Sequence, residues 1–251
     1  MPVRLSKKPP ASADPNFMQS LARGLDALAA FQHARPNLSV SEVASLADIS
    51  RAAARRCLHT LAVLGYARAN GGSYTLPPKA LSLGYAYLTA SPVARVAQPL
   101  LEEVSTRLHE SCSMTVLDGD EIVCVARAAT QRIISVGLSV GSRLPAYCTS
   151  MGRVLLAYSP EADLDAYLQR VPLARQTPQT ITEVALLRRE LQQVRAAGYA
   201  IVDQELELGL RAIAVPVRQS DAEDLHADHV FFEVAAAPLD GLGDDKVDEP
   251  P

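Results

Sequence analysis

Between residues 18 and 76 the apolar residues change spacing in an order that few folds accommodate. Leu21, Leu25, Leu28 and Phe31 recur at intervals of four and three, which predicts an amphipathic helix from about Met18 to His33, ended before Arg35-Pro36. Ser39-Val40-Ser41-Glu42 is a capping-box pattern that opens a short helix with Val43 and Leu46 inward, stopping near Asp48. Ser50 opens the next helix, which runs to Leu64 and ends at Gly65. Two short runs, Tyr66–Ala69 and Ser73–Leu76, then flank Asn70-Gly71-Gly72, a hairpin signal broken by Pro77-Pro78. Helix, short helix, tight turn, helix and hairpin make the winged helix-turn-helix plan.

The rest of the chain reads differently. A helix from Leu81 to about Thr89, with Leu81, Tyr85 and Leu88 on one face, serves as a connector or pairing helix, and Val93 to about Glu110 forms a longer one with Val96, Leu100, Val104 and Leu108 in register. The period then shortens to that of strands at Ser113–Leu117 and Ile122–Arg127 around Asp118-Gly119-Asp120, and Ile133–Val140 extends the sheet. Helices return at Ser150–Tyr158, Pro160–Val171 and Thr182–Ala197, followed by strands Tyr199–Asp203 and Arg211–Arg218. The expected fold is α+β: a winged helix-turn-helix over 17–78, a connector over 79–91, and a second domain with an antiparallel sheet over 92–218. Residues 1–16 read as a mobile basic arm with Arg4, Lys7 and Lys8, and 219–251 as an acidic tail with one apolar run, Val230–Val234, fit for a last strand.

The net charge of −4 conceals a division. Residues 1–90 carry +6, residues 91–218 carry −1 and residues 219–251 carry −9. A basic head on a neutral body is the asymmetry of a chain in which one domain meets a polyanion. No stretch approaches the roughly 18 to 20 apolar residues of a bilayer span, and the N-terminus lacks an apolar signal core, so a cytoplasmic protein with no membrane partner is expected. Cys57, Cys112, Cys124 and Cys148 form no CxxC pair, which argues against a zinc site or a disulfide framework, and no cofactor is implied.

Whether the head binds DNA turns on the third helix. At about 100° per residue, Ala54, Cys57, Leu58, Leu61 and Leu64 fall on one arc, and Arg51, Ala52, Arg55, Arg56 and His59 on the opposite one. Ser50 at the N-cap and Arg51 in the first turn stand where backbone amides and the helix dipole meet phosphate or base edges. Arg68, Asn70 and Ser73 on the hairpin are placed to follow the backbone or enter a minor groove. A simply solvated cationic face is the alternative; the element order and the charge balance favour double-stranded DNA.

In the second domain, Leu144–Arg153 leads from a strand into a helix that Thr149 or Ser150 can cap, which leaves amides free for a carboxylate. Met114, Tyr147, Cys148 and Met151 would form a partly apolar wall. Asp203 and Glu205, alternating with leucines, suit hydrogen bonds to a ligand hydroxyl or to Arg127, Arg132 or Arg211; an ordinary cap and an exposed acidic loop are the plainer alternatives. Cys148 has no histidine placed to activate it, and no GxSxG, HExxH, P-loop or GxGxxG occurs, so an enzyme is not expected.

The segments SLARGLDALAAF, RLPAYCTSMGRVLLA and DQELELGLRAIAVPV resemble the IclR family of bacterial transcription regulators, from the first helix to about Arg218. The latter two are similar to the branch that controls aromatic-acid catabolism through the β-ketoadipate pathway, whose members respond to protocatechuate, 4-hydroxybenzoate or β-ketoadipate. The resemblance implies a GAF-like effector domain, dimers through the head and connector, often dimers of dimers, and RNA polymerase as a further partner if the protein activates. It places the effector loop at Cys148, Thr149, Ser150 and Met151, with an aromatic or dicarboxylic acid on the amides near Ser150 and Met151, and operator contacts at Ser50, Arg51, Arg55 and Arg56. The C-terminus departs from the family pattern: after Gln219 there is no closing amphipathic helix, and Val230–Ala236 stands where a serine-bearing strand is usual. The competing reading is a constitutive DNA-binding regulator whose second domain only dimerises; a change of operator affinity with a small carboxylic acid separates the two.

Overall fold

The chain divides into two compact units between Ala90 and Ser91, and in the first of them side-chain caps and a small core set three helices and a wing. The computed structural model describes residues 14–32, 36–90, 92–130, 138–217 and 230–236. The arm with Arg4, Lys7 and Lys8, the helix end at His33 and Arg35, Arg132, most of the run 133–140 and the tail beyond 236 lie outside the described residues.

Helix α1 (Gln19–Ala29) continues into a 3-10 turn at Ala30–Gln32. Strand β1 (Leu38–Ser39) leads into α2 (Val40–Leu46), where Glu42 N donates to Ser39 Oγ and Ser39 N donates to the Glu42 carboxylate, the two halves of the capping box. Helix α3 (Arg51–Val63) is capped by Ser50, whose Oγ accepts from Ala53 N at 3.2 Å. Strands β2 (Arg68–Asn70) and β3 (Ser73–Thr75) form the hairpin, and Gly71 and Gly72 at its tip both have positive φ, the conformation a two-residue turn demands. The sheet order is β1-β3-β2. The core consists of Ala27, Ala30, Leu38, Val43, Ala54 and Leu58. Leu21 and Leu25, expected to face inward, are each 57% exposed, because α1 packs through its alanines, with Leu28 and Phe31 only partly covered. Helix α4 (Leu81–Ala90) buries none of its residues.

In the second unit, α5 (Pro92–Leu108) lies over the hairpin of β4 (Ser111–Asp118) and β5 (Glu121–Ala128). Its buried stripe is Ala97, Leu101 and Ser105, one residue along from the Val96–Leu100–Val104–Leu108 row picked out by hydrophobicity, of which Val104 is partly covered and the other three stay exposed. The third strand of this edge is β6 (Arg143–Pro145). Helices α6 (Ser150–Tyr158), α7 (Glu161–Arg170) and α8 (Val184–Ala197) follow, then β7 (Ala200–Asp203), β8 (Arg211–Val217) and β9 (Val230–Ala236). The six-stranded antiparallel sheet runs β6-β5-β4-β9-β8-β7, so the apolar run of the acidic tail supplies a central strand that joins the two halves of the sheet. The main core, centred on α6, lies on the opposite face of the sheet from α5.

Candidate DNA-reading face and effector site

Helix α3 buries Ala54 and Leu58, partly covers Cys57 and Leu61, and exposes Arg51, Ala52, Arg55, Arg56 and His59 as the wheel predicts; Leu64, expected on the inward arc, is 53% exposed because it caps the helix beyond the core. Among the described residues no ion pair engages Arg51, Arg55, Arg56 or Arg68, so these guanidiniums keep all their donors for another group. Ser50 spends one lone pair on the cap and retains its O–H as a donor. Arg68 and Asn70 are exposed on the wing, and Ser73 Oγ donates to Asn70 O at 2.8 Å, which ties the hairpin tip. The same compact unit therefore carries a cationic helix face and a cationic hairpin edge.

In the second unit, Cys148, Thr149, Ser150 and Met151 are buried at the start of α6. Thr149 is the N-cap: its Oγ1 accepts from Gly152 N at 3.2 Å and donates to Pro145 O at 3.0 Å. Gly152 is required by contact, since a Cβ there would stand 2.2 Å from Ala146 O and 2.4 Å from Ala146 Cα. That close approach presses the first turn of α6 onto the chain entering it.

The sheet opposite carries polar groups that the motif reading did not single out. Cys112 and Met114 pack under α5, so strand alternation turns Ser111, Ser113 and Thr115 to the α6 face. Arg127, opposite Ser113, donates from a terminal guanidinium nitrogen to Ser113 Oγ at 2.7 Å. Thr115 is fully buried and its Oγ1 has no hydrogen-bond partner among the described residues. A period-two run of hydroxyls, Ser111, Ser113 and Thr115, was the available sequence signal. Met114, expected in the wall beside Met151, lies on the other face of the sheet for the same reason of alternation.

The acidic segment is committed elsewhere. Glu205 meets Arg153, which is 1% exposed, with a terminal guanidinium nitrogen 2.5 Å from Glu205 Oε2; of the expected arginines, Arg211 pairs with Asp203 rather than with Glu205, and Arg127 pairs with neither. Ile181 N also donates to Glu205 Oε2 at 3.1 Å, and Arg153 Nε donates to Tyr147 O at 3.2 Å. Asp203 pairs with Arg211 at 2.7 Å on the exposed edge, and this guanidinium holds its carboxyl below the usual carboxylate range. Tyr147 donates its hydroxyl to Ala174 O at 2.7 Å and is itself core.

Burial, and then the Glu205 charge, push the Cys148 thiol from 9.0 up to about 12. A thiol held protonated is no nucleophile at neutral pH. Because its pKa is higher folded than unfolded, Cys148 contributes stability that is fully present below pH 9.0 and is lost as pH rises toward 12. The expected result is that iodoacetamide at pH 8 leaves Cys148 unlabelled in the native protein and modifies it on denaturation, read by peptide mass mapping. Native labelling would overturn the buried placement.

A helix-turn-helix with a free cationic face and a separate sheet domain with a capped, buried helix N-terminus define a DNA-binding transcription regulator carrying an effector domain. Residues 20–71 match the IclR helix-turn-helix domain and residues 85–230 the IclR C-terminal domain of bacterial transcriptional regulators; the chain belongs to the IclR family. It is 50% identical over 89% of its length to the Pca regulon regulatory protein of Pseudomonas putida, covering 77% of that protein. A regulator crystal structure from Rhodococcus is 44% identical with a TM-score of 0.74, covering 88% of this chain and 87% of that one. An IclR homologue from Microbacterium hydrocarbonoxydans, solved in complex with 4-hydroxybenzoate, is 26% identical with a TM-score of 0.74, covering 89% and 91%. The family match ends at residue 230, the first residue of β9. Among the described residues no helix is long and apolar enough to cross a membrane.

Proposed function

We propose that this chain regulates genes of aromatic-acid catabolism, with operator binding controlled by an aromatic or dicarboxylic acid seated between the first turn of α6 and the hydroxyl-bearing face of β4. Thr115 carries the reading. A fully buried hydroxyl without a partner costs roughly 1–3 kcal/mol, and a ligand carboxylate or hydroxyl would relieve that cost. The amides at Ser150 and Met151 and the positive end of α6 suit a carboxylate; Arg127 and Ser113 suit a second polar group. Tyr147, Cys148 and Met151 supply packing around the loop, and Glu205, through Arg153, holds its position. Asp203 belongs to the outer edge of this site. On DNA, Ser50, Arg51, Arg55, Arg56 and His59 enter a groove and Arg68 follows the backbone. Residues 17–78 read DNA, 79–91 pair chains, and 92–218 together with β9 sense the effector. The exposed Leu81, Leu83, Tyr85 and Tyr87 of α4 favour a homodimer, the ordinary way to bury an apolar helix.

The experiment is Thr115→Val. Removing the orphan hydroxyl at constant shape should leave the free protein as stable or more stable by about 1 kcal/mol. The rise in melting temperature produced by millimolar protocatechuate, 4-hydroxybenzoate or β-ketoadipate in the unaltered protein should shrink in the variant. No shift with any of these acids in the unaltered protein would favour the constitutive regulator. In parallel, Arg55→Ala should lower operator affinity at least about tenfold and flatten its salt dependence; unchanged binding would refute the assignment of α3.

A further inference from the structure

One side chain ties the exit of the wing back to the end of the reading helix. Lys79, in the 3-10 turn Pro78–Ala80, donates from Nζ to Leu64 O at 2.8 Å, and the same nitrogen lies 4.8 Å from the centre of the Tyr66 ring. Leu64 is the C-cap of α3, so its carbonyl stands at the negative end of the helix and has no intrahelical donor. Neighbouring carbonyls are satisfied locally: Tyr66 N and Ala67 N donate to Leu61 O, and Gly65 N to Ala62 O. Gly65, at φ +79°, reverses the chain here, and the Lys79 stem runs 3.5 Å from where its Cβ would be. The whole hairpin, Arg68 to Thr75, lies within the loop that this one bond closes. Ser82 Oγ then donates to Lys79 O at 2.8 Å as the chain enters α4, which buries nothing of its own.

We propose that Lys79 is a positioning residue for operator recognition: it caps α3, rests on Tyr66, and holds wing and reading helix in one fixed relation without itself touching DNA. The proposal rests on the reading of α3 and the wing as the DNA contacts. Its ammonium is committed to a carbonyl and a ring, which differs from the free guanidiniums of Arg51, Arg55 and Arg56. A helix and a wing that must enter their grooves together bind best when their relation is set beforehand, since ordering them on DNA would be subtracted from affinity.

Lys79→Met keeps the stem and removes the ammonium. Affinity for operator and for a random duplex is measured across a range of salt concentrations. Operator affinity should fall about tenfold, the worth of one charge-assisted hydrogen bond, with random-duplex affinity and the salt slope unchanged. Lys79→Arg should restore most of the loss, and Tyr66→Leu should reproduce part of it. A salt slope lower by about one, with equal losses on both duplexes, would make Lys79 a phosphate contact and overturn the proposal, as would unchanged operator affinity. If Lys79→Met lowers the folded fraction of the protein, Tyr66→Leu decides the same comparison. Arg55→Ala run alongside separates this failure from failure of the DNA-reading assignment, because only the latter leaves that variant at full affinity.

Discussion

Arg153→Met is expected to cost about 3–5 kcal/mol of effector-domain stability, the usual consequence of leaving one member of a buried pair uncompensated. For a domain of this size that lowers the melting temperature on the order of 10 °C. Arg153 is 1% exposed and Glu205 7%, and the guanidinium reaches Glu205 Oε2, Tyr147 O and, at 3.6 Å, Glu190 Oε1. Removing it strands the Glu205 carboxylate, with the Ile181 amide as the remaining donor to Oε2 among the described residues. The double variant Arg153→Met with Glu205→Leu should recover most of the loss, because an apolar pair of similar volume replaces the ion pair without stranding a charge. Failure of the double variant to recover would mean that the guanidinium matters through Tyr147 and Glu190 rather than through Glu205. The pair thus fixes where the β7–β8 connection sits over α6; it is not a large net source of stability.

Gly152→Ala should destabilise the same domain by at least about 3 kcal/mol, at the upper end of overpacking costs, and abolish any effector-induced rise in melting temperature. The added carbon would meet three backbone atoms of Ala146 at 2.2, 2.4 and 2.6 Å. Backbone cannot swing aside as a flexible side chain does, so the loop Ala146–Thr149 or the whole of α6 must move by about 1 Å to reach ordinary contact. Either movement displaces the amides of Ser150 and Met151. Gly24→Ala is the internal control: Gly24 lies within α1 with nothing within 4 Å of its added carbon, so the change should stabilise by roughly 0.5–1 kcal/mol. A Gly152→Ala protein that melts like the unaltered chain and still responds to effector would show that α6 does not need this contact.

The head was largely legible because its signals are local. Ser39 with Glu42, Ser50, Gly65 and Asn70-Gly71-Gly72 act within a few residues, and each appears where the chain order puts it. The arginine face followed from helical period alone, since Ala54 and Leu58 admit one inward side. Inward faces were misjudged where the largest apolar residues were not the buried ones: Leu21 and Leu25 on α1, and Val96, Leu100 and Leu108 on α5, lie beside a stripe of smaller residues that packs. Periodicity finds a hydrophobic arc, but whether that arc meets this chain's own core or another surface depends on what packs against it.

The candidate effector site was half legible. The turn into α6 with its Thr149 cap is a local pattern, and so is the hydroxyl alternation on β4 that strand period contains. The face those hydroxyls occupy, and the exile of Met114 to the opposite one, required knowing on which side α5 lies. The pairing of Arg153 with Glu205 spans 52 residues, and the insertion of Val230–Ala236 between β4 and β8 brings a tail strand to the centre of the sheet. What the amino-acid order determined by itself was the succession of elements, their caps and turns and the basic head, because those depend on interactions within a turn or two of the backbone. What only the tertiary structure decided was which buried charges and hydroxyls meet, because partners far apart in the chain are chosen by packing, and burial makes an unmatched polar group costly.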